Sequence, residues 1–157
     1  MLFTIGYEGL DVQCIIKTLK AHDVHILVDV RELPLSRKKG FSKSALSEAV
    51  TRAGLQYVHA KELGAPRPVR HALRAGGEWA EYCRGYSQHL DANEAALERV
   101  RALAREQNVC LLCYEADYRE CHRSLIAARL EETDTSIKVT HVVARTATVA
   151  EILPVPA

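Results

Sequence analysis

The stretch His25-Ile26-Leu27-Val28-Asp29-Val30 decides the fold. It is apolar on both alternating faces until Asp29, the pattern of a parallel strand covered on either side. On the N-terminal side, Leu2 to Ile5 is a second short apolar run, stopped by Gly6. Asp11 stands at an N-cap position, and Val12, Ile15, Ile16 and Leu19 recur at helical spacing, so a helix is expected to about Ala21. On the C-terminal side, Ser42 can cap a helix carrying Leu46 and Val50 that ends near Gly54, before a strand over Leu55 to Val58.

Between His59 and Gly77 the periodicity breaks; Pro66, Pro68 and Gly76-Gly77 read as a long loop with one helical turn around His71 to Arg74. Helical stripes follow, the first over Trp79, Tyr82, Cys83, Tyr86 and Leu90, the second over Ala96, Leu97, Val100, Leu103 and Ala104. A strand over Val109 to Cys113, a helix over about Arg119 to Glu131 and a strand over Val139 to Val143 complete the pattern. Strands alternating with helices require right-handed crossovers. The expectation is one α/β domain over residues 1–143, three layers deep around a mostly parallel sheet of about five strands, with a C-terminal tail over residues 144–157.

The chain has 157 residues, 48% hydrophobic and 26% charged, enough for one core. A net charge of +1 excludes a globally basic nucleic-acid coat. No run reaches the roughly 20 apolar residues of a membrane helix, and the N-terminus lacks a signal-peptide pattern. The odd set Cys14, Cys83, Cys110, Cys113 and Cys121 fits reduced thiols, so a cytoplasmic location and no membrane partner are expected.

In such sheets, ligands bind beyond the carboxyl ends of the strands. Three segments there collect the reactive side chains: Gly6-Tyr7-Glu8-Gly9, then Asp29-Val30-Arg31 leading to Ser36-Arg37-Lys38-Lys39-Gly40, then Cys113-Tyr114-Glu115 running to Cys121-His122-Arg123. From Arg31 to Lys43, five basic residues and one acid give a local +4, suited to an anion such as phosphate. The plainer alternative is a solvated loop, which fits Lys38, Lys39 and Lys43 better than Arg31 at the end of a buried strand.

The third segment admits three chemistries. Cys121 beside His122 in the first turn of a helix would be a nucleophilic or redox thiolate, with Glu115 and His122 as acid and base. Cys110, Cys113, Cys121 and His122 are zinc-ligand types, but Cys110 and Cys113, three apart on one strand, face opposite ways, so no metal is assigned. Cys113 and Arg119 have the spacing of a cysteine phosphatase loop, yet Glu115 and Asp117 would repel the dianion, so that match is read as accidental. Cys14, Cys83 and Cys110 read as core.

In order along the chain, Thr4-Ile5-Gly6-Tyr7-Glu8-Gly9, Val28-Asp29-Val30-Arg31 with Pro34 and Ser36-Arg37, Gly54 to His59 with Leu63-Gly64, and Leu112-Cys113-Tyr114-Glu115 with Cys121-His122-Arg123 resemble the domain-of-unknown-function family 488. The likeness spans Phe3 to Val142. Its signature residues carry over to Gly6, Tyr7, Asp29, Arg31, Arg37, Cys113, Glu115, Cys121, His122 and Arg123. Ala65 departs from the pattern, where many members carry a second Gly, and neither Cys110 nor Arg119 belongs to it. The resemblance implies an α/β domain with a common polar site and supplies no reaction.

From the residues, the expected function is a small enzyme acting on a phosphate-bearing substrate, a nucleotide or nucleic-acid end. Gly6, Tyr7, Arg31, Arg37 and Arg123 would bind it, Glu115, Cys121 and His122 would act, and Asp29 and Cys113 would support them; no cofactor is called for. The alternatives are a nucleic-acid or partner-binding module without catalysis, and a thiol redox protein using Cys113 and Cys121.

Overall fold

The computed structural model describes residues 1–144, so the expected tail lies outside the described residues beyond Ala144. Strands β1 (Leu2–Gly6), β2 (Ile26–Asp29), β3 (Gln56–His59), β4 (Val109–Cys113) and β5 (Val139–Val142) form one all-parallel sheet in the order β3-β2-β4-β1-β5. The three inner strands are buried along their whole length, while β3 and β5 at the edges are partly exposed. This separates the continuous apolar runs from the mixed ones, as covering on both faces demands.

The helices are α1 (Val12–Ala21), α2 (Lys43–Arg52), α3 (Arg67–Arg74), α4 (Trp79–Asp91), α5 (Glu94–Glu106) and α6 (His122–Thr133). Asp11 caps α1 by accepting from the Cys14 N–H at 2.7 Å. Ile15 and Leu19 of α1 and Leu46 and Val50 of α2 pack with Phe3, Ile5, Leu27, Cys110 and Leu112 on one face of the sheet. On the other face, Tyr82, Tyr86, Leu97, Val100, Ile126 and Leu130 cover Leu2, Ile26, Val28, Leu111 and Cys113. The chain runs outward from β1 to β2 and β3, then returns to β4 and crosses to β5. Right-handed crossovers in opposite directions put the two sets of helices on opposite faces.

Two expectations are corrected. The stretch from His59 to Gly77 holds a 3₁₀ turn at Lys61–Leu63 and the eight-residue α3 instead of a long loop. Pro66 is the N-cap and Pro68 lies in the first turn, where a helix has no amide partner to lose. The last helix begins at His122; Tyr118–Glu120 is a separate 3₁₀ turn, and Cys121 is the extended N-cap residue between them.

Gly6 sets a close approach. A Cβ there would lie 1.8 Å from the Glu115 carbonyl oxygen, so only glycine lets β1 end against the loop after β4. Gly6→Ala is expected to destabilise the fold by at least the ~1–3 kcal/mol typical of overpacking, because backbone must move. A urea titration matching the wild type would show that the approach is not that tight.

Candidate active site

Two side-chain clusters meet at the carboxyl edge of the sheet. The first is built around Asp29 at the end of β2, whose side chain is fully buried. Its Oδ1 accepts from Arg31 Nε at 2.8 Å, and its Oδ2 accepts from Arg31 Nη2 at 2.7 Å and from the Tyr57 hydroxyl at 2.5 Å. Arg31 Nη1 donates to the Phe41 carbonyl at 2.7 Å and to the Tyr7 hydroxyl at 3.2 Å. Tyr7 in turn stacks on Phe41 with ring centroids 4.3 Å apart. The guanidinium therefore ties the basic loop to the sheet and presents only an edge outward.

The second cluster is Cys113, Glu115, Cys121 and His122. Cys113 ends β4 on the face of α4 and α6, while Cys110 three residues earlier faces the opposite core. His122, in the first turn of α6, points its ring back under β2, with Nε2 2.7 Å from the Val30 carbonyl. That contact makes Nε2 the N–H donor and turns Nδ1 toward sulfur. Nδ1 is 3.7 Å from Cys113 Sγ and 3.9 Å from Cys121 Sγ. Cys113 Sγ donates to Glu115 Oε2 at 3.5 Å. The two sulfurs and an imidazole nitrogen all lie within 4.8 Å of one another.

Burial opposes a thiolate at Cys121, but hydrogen bonds from Cys113 and His122, with the charges of His122 and Arg123, outweigh it and hold its pKa well below the usual thiol value. The Cys113 pKa is driven well up by its hydrogen bond to Cys121, then by burial and by the charges of Cys121 and Glu115. Burial works against the His122 imidazolium, yet the hydrogen bond and charge of Cys121 raise its pKa. Burial, followed by the Cys121 charge, also raises that of Glu115. The two sulfurs are thus pushed in opposite directions, Cys121 toward the thiolate and Cys113 toward the thiol, while His122 is pushed toward the imidazolium.

Both clusters open into one cavity of about 400 Å³. Tyr7, Arg31, Cys113, Glu115 and His122 line its floor and near wall. Exposed Leu33, Leu35 and Tyr114 form an apolar rim, and Leu73, the buried Tyr82, and Arg70 and Arg74 on α3 line the cavity as well. Arg70 is engaged by Glu32 at 3.1 Å and by the Ala65 carbonyl at 3.0 Å. Arg74 is exposed and has no partner among the described residues.

Several expected residues take different places. Cys121 is 1% exposed behind His122 and does not line the cavity; the sulfur that does is Cys113. The extended backbone of the cap residue turns the Cys121 side chain into the core under α6. Arg123, also 1% exposed, donates to the Glu115 carbonyl at 2.6 Å, the Ala116 carbonyl at 3.4 Å and Thr4 Oγ1 at 3.3 Å, so it braces the loop instead of reaching a ligand. Gly6 supports the same loop from the other side. Arg37 is exposed outside the cavity lining, and Lys38 Nζ caps the Tyr7 carbonyl at 3.3 Å. Sequence reasoning missed Arg70, Arg74 and the rim leucines. The spacing of four between the two arginines, just after Pro66 and Pro68, was the available signal.

A parallel sheet covered by helices on both faces, with a crevice at the strand ends, defines the chain as a three-layer α/β domain. More particularly, it belongs to the family described as domain of unknown function DUF488, whose model matches residues 11–130. That match takes in every site residue from Asp29 to Arg123 and begins after Gly6 and Tyr7. No curated protein and no solved structure matches the chain. No helix among the described residues is long and apolar enough to cross a membrane.

Proposed function

We propose that the chain is a small enzyme acting on a phosphate-bearing substrate, a nucleotide or the end of a nucleic acid. The observation that supports this reading is a single cavity joining an unpartnered guanidinium, an aromatic rim and a Cys–His–Glu floor. A phosphate calls for charge-assisted donors, which Arg74 offers on one wall. A planar base calls for flat apolar surface, which the exposed Tyr114 offers at the rim. At the floor Glu115 and His122 are the groups that move protons, and Cys113 is the sulfur within reach of the bound group. The five free thiols suit a reducing cytoplasm.

The test is a calorimetric titration of nucleoside mono-, di- and triphosphates and of phosphate-terminated oligonucleotides. Arg74→Ala should weaken mononucleotide binding about 10- to 100-fold, the loss of one charge-assisted hydrogen bond, whereas Arg37→Ala should leave it unchanged. A chain that binds none of these ligands, or an Arg74→Ala variant that binds them equally, overturns the reading.

A further inference from the structure

We propose that Cys113, Cys121 and His122 form a binding site for a divalent transition-metal ion of the zinc class, held by two thiolates and one imidazole, with its fourth position facing the cavity. Zinc takes thiolate at about 2.3 Å and imidazole at about 2.0–2.1 Å, so a tetrahedral site sets each sulfur roughly 3.5–3.6 Å from the nitrogen. The two N···S separations here, 3.7 and 3.9 Å, are within a few tenths of an ångström of that requirement. All three donor atoms also lie within 4.8 Å of one another, close enough for one ion to touch each.

The surroundings fit the same ion. A ligating histidine generally donates its other N–H to a carbonyl or carboxylate, which fixes the ring and its tautomer. Here Nε2 meets the Val30 carbonyl at 2.7 Å and leaves Nδ1 for the metal. Two thiolates and a neutral imidazole around a dication sum to zero charge, which a buried site tolerates. Their softness selects zinc over magnesium or calcium. Cys113 and His122 line the cavity while Cys121 closes the rear, so the open position points toward substrate, beside Glu115. Three protein ligands with an open fourth position is the arrangement of catalytic, as opposed to closed structural, zinc sites. Binding exchanges two protons for one ion, because two thiols with a neutral imidazole, or one thiol with a thiolate–imidazolium pair, carry the same two protons.

The inference goes beyond the substrate reading: with the ion bound, Cys113 and His122 serve as ligands and Glu115 is left as the group that moves protons. It can fail separately from that reading, because one is read on the sulfurs and the other at Arg74. The full-length chain, kept reduced and stripped with a chelator, is titrated with Co(II). One equivalent should bind and give a sulfur-to-cobalt charge-transfer band with tetrahedral d–d bands, which one equivalent of Zn(II) then abolishes. About two protons should be released per ion in weakly buffered solution. Cys113→Ser and Cys121→Ser should each lower zinc affinity by more than the roughly 10–100-fold that losing an outer hydrogen bond costs. Cys110→Ser, on the opposite face of the sheet, should retain the spectrum. The reduced wild-type spectrum decides even where a variant fails to fold. A folded chain that gives no thiolate charge-transfer band, or a band that survives in the folded Cys113→Ser, Cys121→Ser double variant, overturns the site.

Discussion

Asp29→Ala should destabilise the protein by about 3–5 kcal/mol, the cost of leaving a buried charge without its partner. Arg31 is 7% exposed, and its only charged partner among the hydrogen bonds around it is the Asp29 carboxylate. Without it, the guanidinium keeps only the Tyr7 hydroxyl and the Phe41 carbonyl, and the Tyr57 hydroxyl loses its acceptor as well. For a domain of this size the melting temperature should fall by roughly 6–20 °C. Replacing both members of the pair with apolar residues, Asp29→Leu with Arg31→Met, should recover much of the loss, since the burial penalty then disappears. Chemical denaturation of the three proteins checks this. A loss below 1 kcal/mol for Asp29→Ala would mean that the pair does not organise the loop leading to Phe41.

Glu115→Gln should lower turnover of any nucleotide substrate by about 10²–10⁴-fold, the usual contribution of a positioned proton carrier. The amide keeps the size of the side chain, and its oxygen can still accept from Cys113, so the fold should hold. Affinity for a phosphate-bearing ligand should be unchanged or higher, because a potential negative charge has left the cavity. Steady-state kinetics and calorimetry on the same variant separate the two effects. A variant that turns over at the wild-type rate would remove Glu115 from the chemistry. A wild type that binds nucleotides and transforms none would favour a binding module built on the same cavity.

The sheet was legible because burial on both faces leaves a continuous apolar signature, clearest in Ile26–Asp29 and Val109–Cys113. The N-cap at Asp11 was equally plain, since a short carboxylate before an amphipathic run has one dominant use. The convergence of Arg31 and His122 on one cavity followed from parallel connections alone. Side-chain roles were less visible. Arg31 and Arg123 look alike in sequence, yet one takes its partners from a carboxylate two residues away and the other from carbonyls seven and eight residues back. Helix α3 was hidden because proline reads as a breaker until its place in the first turn is known. That Cys113 and Cys121 meet depends on α6 folding back over the sheet, which no local spacing encodes.

The position of β4 has a consequence for synthesis. Among the described strands, β1 pairs only with β4 and β5, while β2 and β3 pair with each other first. A ribosome delivers β1 more than a hundred residues before Val109 emerges to join it to β2. Until then the opening strand is an unmatched edge on a nascent polypeptide, and loop closure over that distance makes the last joining step slow. The sheet, and with it the crevice, is completed only once β4 and β5 have emerged.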